Sequence, residues 1–235
     1  MTILSDIKLY ATTPHKCSYL EKKEATTLFV DPDTEINEPQ YVELSELGFR
    51  RSGQHFYRPH CQQCEDCIPA RVPVNYFSPS RRQRRVVRRN SDIAVNPVSS
   101  IDSDEHYDLY SRYICHRHET GDMYPPSRQQ FDEFLVQFNR FAGFVEFRLD
   151  DRLVALSVCD DLGEARSAIY TAFDPDYSNR SLGNFVVLKL IERAREAGRD
   201  YLYLGYWIKE CRKMRYKIEY RPIELYIAGR WRTLN

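Results

Sequence analysis

The sequence of 235 residues has no apolar run as long as the roughly 20 residues that a membrane-spanning helix needs. Residues 1–6 also lack the basic segment followed by an apolar segment that marks a secretory signal. These absences predict a cytoplasmic protein without a membrane partner. Neither sign of charge is in excess, because 34 Lys and Arg balance 34 Asp and Glu. The total charge therefore says nothing about a nucleic-acid partner.

Glycine is scarce, at nine residues, and the chain has no internal repeat and no low-complexity tract. A hydrophobic fraction of 42% excludes a disordered chain. The character of the sequence changes near residue 80. We expect a smaller Cys-containing N-terminal domain over residues 1–79, a basic connector over 80–100 and a second domain over 101–235.

Short elements are predicted in the first part of the chain. Asn37 and Pro39 begin a small helix, because Pro is well placed at an early helical position, and Gly48 can end it. Residues 71–74 are typical of an edge strand, where Pro73 is tolerated because no neighbouring strand needs its missing N–H.

Regular elements are predicted in the second part. In order, they are helices that begin after Ser103 and Ser127, strands over 144–149, 153–159 and 167–173, a helix over 185–197 and a strand over 201–207. The first two strands form a hairpin around Asp150 and Asp151. A strand, a helix and a strand in succession imply a parallel pair with a right-handed crossover. This α/β (α+β) order predicts an acetyltransferase-like fold of the acyl-CoA N-transferase type for the C-terminal domain.

Seven cysteines are present, and three of them stand two residues apart: Cys61, Cys64 and Cys67. This spacing lets a tight turn direct thiolates at one metal ion. Cys17 is the best fourth ligand, with His15 and His60 in reserve. Zinc and an iron–sulfur cluster both suit four thiolates, and the alternative is a set of free buried thiols. Four thiolates leave no open coordination position, so the predicted site is structural or regulatory.

A run of arginines without any acidic residue lies over residues 80–90 and contains Arg81, Arg82, Arg84, Arg85, Arg88 and Arg89. On a neutral protein this is a concentrated positive patch, which is typical of contact with a phosphate backbone. The alternative is a solvated connector, although ordinary solvated surfaces mix charges of both signs.

A loop between a predicted strand and a predicted helix contains Arg180 and Gly183. Acetyltransferases hold the coenzyme A pyrophosphate with a similar loop, because free amides at a helix N-terminus attract anions. Here Phe185 stands where a small residue belongs, and we expect it to obstruct that approach. The loop is then either a degenerate coenzyme A site, a cradle for the 3′ end of a tRNA, or an ordinary turn and cap.

Residues 204–217 mix five basic residues with three aromatic ones. Such interleaving is typical of phosphate contact combined with base stacking, and the alternative is a surface helix with an aromatic inner face. We expect Lys217, together with Arg180 and Gly183, to contact tRNA alongside the six arginines.

The chain resembles the arginyl-tRNA–protein transferase family in six segments that occur in order along nearly its whole length. These segments are residues 14–20, 48–53, 57–61, 123–127, 170–175 and 204–217. The compact length and the sequence Cys17-Ser18-Tyr19, without a second adjacent cysteine, are similar to the bacterial branch of aspartate/glutamate leucyltransferases.

The resemblance implies transfer of leucine from leucyl-tRNA to an N-terminal Asp or Glu of a protein, which creates an N-degron. It further implies that the N-terminal half recognises the acidic terminus and that the C-terminal half is catalytic. Eukaryotic relatives link N-terminal cysteines to iron–sulfur or haem binding. Three other functions stay open: an arginyl-tRNA transferase with the same acceptors, a coenzyme A-dependent acetyltransferase, and a non-catalytic RNA-binding module without a DNA partner.

The implied reaction requires no cofactor, because the aminoacyl ester is already activated. Positioning and oxyanion stabilisation would then be the main catalytic effects. Tyr170 and Asp174 are candidates to contact the reacting groups, since they lie near the end of the third predicted strand; packing and turn capping are the alternatives. The candidates to bind the acceptor's acidic side chain are Arg50, Arg51, Arg58, Lys213 and Arg215.

Overall fold

Helices and strands alternate along the computed structural model, which describes residues 7–137 and 140–235. The helices are α1 (Glu38–Glu46), α2 (Arg81–Arg89), α3 (Asp104–Arg117), α4 (Arg128–Phe131) and α5 (Leu182–Glu196). A π-helical turn covers Asp132–Val136, and 3₁₀ turns cover Pro175–Arg180 and Arg215–Glu219. None of these helices is both long and apolar enough to cross a membrane in the part of the chain that is described.

The strands form three sheets. They are β1 (Leu9–Ala11), β2 (His15–Lys16), β3 (Glu24–Ala25), β4 (Thr27–Val30), β5 (Arg50–Ser52), β6 (His55–Pro59), β7 (Ile68–Pro73), β8 (Ile93–Val98), β9 (Ala142–Leu149), β10 (Arg152–Leu162), β11 (Ala165–Phe173), β12 (Tyr201–Trp207), β13 (Ile223–Ile227) and β14 (Arg230–Leu234). The order is β1-β4-β6-β5 in one sheet, β2-β3 in the smallest and β14-β13-β7-β12-β11-β10-β9-β8 in the largest.

The large sheet has the mixed arrangement that the sequence predicted. Strands β8 to β11 are antiparallel neighbours, whereas β11 and β12 run parallel and are joined through α5. The predicted hairpin, crossover helix and parallel pair are therefore confirmed, as is the mixed α/β, acetyltransferase-like layout.

Apolar side chains cover both faces of this sheet. The inner side of α5, including Phe185, Val186 and Ile191, packs with Phe147 and Leu202 in one cluster. A second cluster joins α3 and α4 to the opposite face. Burial of each such side chain contributes about 1.5–3 kcal/mol, so the helices fix the sheet from both sides.

The small N-terminal helix forms where the sequence predicts it, and a cap adds to the early proline as its start signal. The Asn37 side chain accepts a hydrogen bond from the Gln40 N–H, and the Gln40 side chain accepts one from the Asn37 N–H. This reciprocal cap satisfies two helix-end donors. Gly48 follows the helix with a φ of +83°, a conformation that favours glycine.

Two expectations about the middle of the chain are wrong. Strand β7 is not an edge strand, because it lies between β12 and β13. On one side of β7, strand β13 pairs only with Ala70 and Arg71. The missing N–H of Pro73 therefore removes no hydrogen bond between β7 and β13. The expected connector over residues 80–100 instead forms α2, capped by Ser80 and Gln83, and the edge strand β8.

A buried ion pair attaches the small four-stranded sheet to the large one. Both oxygens of the Asp160 carboxylate on β10 accept hydrogen bonds of 2.6 Å from Arg51 on β5. Tyr41 of α1 donates to the same carboxylate at 2.6 Å. The two charged side chains are 1% and 0% exposed, so each depends on the other for charge compensation.

Replacing Asp160 with Asn keeps the side-chain volume but leaves Arg51 buried without its carboxylate. We expect a loss of about 3 to 5 kcal/mol in the free energy of unfolding, measured by urea denaturation at neutral pH. Glu35→Gln is the matched control, because it breaks the exposed pair with Arg140 and should change little. Equal small effects of both substitutions would contradict this structural role.

Candidate active site

The parallel strands β11 and β12 separate partway along their length. They pair only from Ala165 to Ser167 on β11, opposite Tyr201 to Tyr203 on β12. Beyond this point β11 stays paired with β10 as far as Phe173, and β12 stays paired with β7 as far as Trp207. An opening therefore lies between the carboxyl ends of two parallel strands, where α/β proteins commonly bind ligands.

A bulge in β11 lies at the start of this opening. Cys159 on β10 pairs with Ala168, whereas the preceding Val158 pairs with Tyr170, so Ile169 is the extra residue. A bulge bends its strand and redirects the side chains that follow. The residues from Tyr170 onward are thereby turned relative to β12.

Arg50 on β5 reaches the base of the opening. Its guanidinium donates hydrogen bonds of 2.5 Å to the Ser167 hydroxyl and to the Ala168 carbonyl. Gly205 makes room for it, since a Cβ atom there would lie 3.3 Å from the Arg50 Nε. Arg50 is 9% exposed, and no carboxylate within residues 7–137 and 140–235 forms an ion pair with it. Among the described residues it is therefore a buried cation without a carboxylate counter-ion.

Lys217 lies close to Arg50 and is also buried, at 6% exposure. Its Nζ donates to the Tyr206 carbonyl at 2.7 Å and to the Met214 sulfur at 3.3 Å. Burial, reinforced by the charge of Arg50, lowers the pKa of Lys217 to about 7. The 3₁₀ turn directs this side chain inward against β12, so Lys217 does not share the exposed surface of the α2 arginines; its expected contact with tRNA stays a prediction.

Aromatic rings surround Tyr170 beside the opening. The rings of Phe134, Tyr110 and Tyr113 have centroids 5.3, 5.9 and 6.2 Å from that of Tyr170. The Tyr170 hydroxyl is buried and has no hydrogen-bond partner in the described part of the chain. Burial raises the pKa of Tyr170 well above its usual value, so its hydroxyl stays protonated and can act as a donor.

Asp174 follows β11 but is fully occupied. One oxygen accepts from Arg112 at 2.7 Å and from the Asp176 N–H at 3.1 Å, and the other accepts from Arg152 at 2.8 Å. Burial opposes the charged form, yet the hydrogen bond from Arg112 keeps the pKa of Asp174 below its usual value. These contacts give Asp174 the turn-capping role rather than a direct role in the chemistry.

Family models match the chain over two segments. A model described as arginine-tRNA-protein transferase, N terminus, matches residues 15–85, and its C-terminus counterpart matches residues 105–227. The chain belongs to the arginine-tRNA-protein transferase family. The match of the C-terminal model covers the whole opening between β11 and β12.

Full-length relatives of this transferase chain carry a more specific name. An aspartate/glutamate leucyltransferase from Pseudomonas entomophila is 54% identical, and one from Stutzerimonas stutzeri is 55% identical, each over 100% of both chains. Among solved structures, a Bacteroides thetaiotaomicron protein of unknown function is similar with a TM-score of 0.51 at 13% identity, covering 68% of this chain and 57% of its own. That likeness concerns the fold alone.

The other proposed acceptor residues lie outside the opening. Arg51 is not available to a substrate, because its guanidinium donates two hydrogen bonds to Asp160 and a third to the Gly53 carbonyl. Arg58 donates to the Leu47 carbonyl at 2.9 Å and lies 5.1 Å from the centroid of the Phe49 ring. Lys213 and Arg215 are exposed on the segment after β12. Of the five candidates, Arg50 is the one that the fold brings into the opening.

The arginine run forms one face of α2. Four side chains line an open groove of about 410 Å³: Arg81, Arg84, Arg85 and Arg88. Within the described ranges, none of these four forms an ion pair with a carboxylate. Arg82 pairs with Glu219 at 3.3 Å, and Arg89 donates to the Asn179 carbonyl at 2.5 Å. The sequence spacing of three and four residues places the groove arginines on one side of the helix.

The loop before α5 has structural partners. Asp92 binds Arg180 through two hydrogen bonds of 2.8 and 2.9 Å. A Cβ atom on Gly183 would lie 3.0 Å from the Phe173 ring, so close packing requires glycine there. Phe185 is 1% exposed and points into the core. The expected obstruction by Phe185 is therefore wrong.

The four predicted metal ligands share one neighbourhood. Burial and the nearby Cys17, Cys61 and Cys64 raise the pKa of Cys67 to about 12. The Cys17 sulfur accepts two backbone N–H groups at 3.4 and 3.5 Å. All seven cysteines are free, and no three His, Cys, Asp or Glu side chains in the described ranges stand at metal-ligand geometry. The donors fit a soft metal in type.

Proposed function

We propose that this chain transfers leucine from leucyl-tRNA to the N-terminal Asp or Glu of proteins, and so creates an N-degron. The names of its full-length relatives support the donor and the acceptors. The observation that carries the proposal is Arg50, a buried cation without a carboxylate in the opening between β11 and β12. An acceptor's acidic side chain supplies the missing charge, because a carboxylate can bind a guanidinium by charge-assisted hydrogen bonds.

The reaction needs proton removal and oxyanion stabilisation. An α-amine has a pKa of about 8, so a neutral fraction is available at neutral pH. Its nitrogen attacks the ester carbonyl of leucyl-tRNA, the C–N bond forms, and the C–O bond to the tRNA 3′ oxygen breaks. That oxygen leaves as a hydroxyl after it takes up the proton that the amine loses. The unpartnered Tyr170 hydroxyl is the donor that we assign to the developing oxyanion.

The groove of α2 is the tRNA-binding surface in this proposal. Its four arginines extend over about 10 Å of helix axis and match consecutive backbone phosphates. The end of α2 is fixed to the loop before α5, because Asn90 donates to the Arg180 carbonyl at 2.9 Å. Helix α5 begins directly after this loop. A tRNA acceptor arm on α2 would thus lead its 3′ end toward the opening.

The Cys17, Cys61, Cys64 and Cys67 cluster is proposed to hold a zinc ion or an iron–sulfur cluster. Such a group would stabilise the loops around β6 and β7 and would supply no chemistry to the transfer. Lys23 donates to the Cys64 sulfur at 3.4 Å, and the Cys64 thiol donates to the Asp66 carboxylate at 3.2 Å.

Transfer of labelled amino acids from leucyl-tRNA and arginyl-tRNA tests the function directly. We expect leucine on peptides that begin with Asp or Glu and none on matched peptides that begin with Asn or Gln. Arg50→Met should lower kcat/KM for the Asp peptide by about 100-fold, because it removes a charge-assisted hydrogen bond in a buried site. Transfer of arginine, or equal transfer to the Asn peptide, would overturn the proposal.

Replacing Arg81, Arg84, Arg85 and Arg88 with Gln should weaken tRNA binding and flatten its salt dependence. Each lost phosphate contact reduces the slope of log K against log salt by about 0.7 to 0.9, which a filter-binding titration measures. The control variant replaces the exposed Arg230 and Arg232 on β14 and should retain the wild-type slope. Identical slopes for both variants would exclude α2 as the tRNA surface.

Elemental analysis and an absorption spectrum of protein purified without oxygen test the cysteine site. We expect close to one zinc per chain, or iron with the visible absorption of a cluster, and loss of that metal in Cys64→Ser. Cys115→Ser is the matched control, since Cys115 is exposed on α3 and lies outside the cluster. Metal-free protein with full stability would contradict the site.

A further inference from the structure

Two buried basic side chains, Arg50 and Lys217, lie in one neighbourhood beside the opening between β11 and β12. Arg50 packs against Gly205, and the Lys217 amine is bound to the carbonyl of the next residue, Tyr206, at 2.7 Å. The charged or titratable groups that act on Lys217 are Arg50, Cys211 and Cys67. No carboxylate pairs with either cation in residues 7–137 and 140–235.

This arrangement costs stability. Burial of an ion without its partner is unfavourable because the ion loses its hydration, and a second positive charge nearby adds to this cost. Apolar side chains of similar length could fill the same space. The lowered pKa of Lys217 is one consequence of the penalty. A buried charge that is kept despite this cost indicates a site where a bound ligand supplies the opposite charge.

We propose that Lys217 and Arg50 together form the pocket for the side-chain carboxylate of the acceptor's N-terminal residue, with Lys217 determining the selection of Asp and Glu. The inference rests on the proposed transfer function and adds Lys217 as a second residue of the acceptor site. A carboxylate presents two oxygens, so one can accept from the guanidinium and the other from the ammonium.

The burial of Lys217 and Arg50 favours a carboxylate ligand over a tRNA phosphate. Lys217 and Arg50 are 6% and 9% exposed, so a ligand must enter between the strands to reach them. A short side chain at a free N-terminus can do so. A tRNA phosphodiester is bulkier, and the nucleic-acid chain continues on both sides of it. The exposed arginines of α2 already provide a binding surface for such a group.

Leucine transfer by wild type, Lys217→Met and Lys217→Gln tests this assignment, with KM and kcat measured separately for the Asp peptide and for leucyl-tRNA. The Gln variant keeps an N–H donor for the Tyr206 carbonyl and lacks the charge. Lys209→Met is the matched control, because Lys209 is exposed in the same segment. Melting temperatures are measured for all four proteins, with and without an Asp-Ala dipeptide.

We expect both Lys217 variants to raise the KM for the Asp peptide by about 10- to 100-fold, with the KM for leucyl-tRNA unchanged. Their melting temperatures should equal or exceed that of the wild type, because the uncompensated charge is gone. The Asp-Ala dipeptide should stabilise the wild type and the control but neither Lys217 variant.

Two results would overturn the inference while leaving the proposed function standing. An unchanged KM for the Asp peptide with a lower melting temperature would make Lys217 a structural residue. A raised KM for leucyl-tRNA alone would make the pair a phosphate site. If the wild type and the Lys209 control transfer no leucine to the Asp peptide, the proposed function fails first and this inference fails with it.

Discussion

The buried pair of Arg51 and Asp160 fixes the position from which the rest of the site is built. It holds β5, a strand of the small sheet, against β10 of the large sheet, with Tyr41 of α1 on the same carboxylate. Arg50 is the preceding residue, so the pair also fixes where Arg50 enters the opening between β11 and β12. Arg51 is neutralised by Asp160 and holds the two sheets together. No carboxylate of the described residues pairs with the adjacent Arg50. That division of roles turns two adjacent, chemically identical side chains into an anchor and a binding group.

The same contrast runs through the site. Asp174 has both oxygens occupied and serves the turn after β11, whereas the Tyr170 hydroxyl four residues earlier has no hydrogen-bond partner within residues 7–137 and 140–235. Arg180 is bound by Asp92, whereas the groove arginines of α2 meet no carboxylate in the described residues. Polar groups in a folded protein are usually satisfied. At the opening the Tyr170 hydroxyl is such an exception among the described residues, and on α2 the groove arginines are exposed without an ion pair there; substrates of complementary charge would complete both.

Sequence reasoning found regular elements more easily than side-chain positions. The capped helices and the strand–helix–strand unit were predictable, because capping residues and hydrophobic spacing are local signals. The run of arginines favours a connector over 80–100, yet the same residues contain two signals of a helix. These are a cap at Ser80 and an inner face formed by Gln83 and Val86. The sequence predicts a surface contact for Lys217, because nothing in a run of basic residues indicates which side chain turns inward. Its burial follows from a short 3₁₀ turn packed on β12, which has no distinct sequence pattern.

The sequence by itself determined the family, through six ordered segments, and the mixed α/β layout, through the order and periodicity of its elements. It also determined which residue types were available for phosphate, carboxylate and metal binding. Only the tertiary structure decided which of these residues are free to act. The partner of Arg51, Asp160, lies more than twenty residues away in the chain, as do Arg112 and Arg152, the arginines that bind Asp174. Among the described residues, no carboxylate pairs with Arg50 and no group forms a hydrogen bond with the Tyr170 hydroxyl. Charge compensation in a folded core depends on such long-range neighbours, so no local pattern could have separated the anchors from the binding groups.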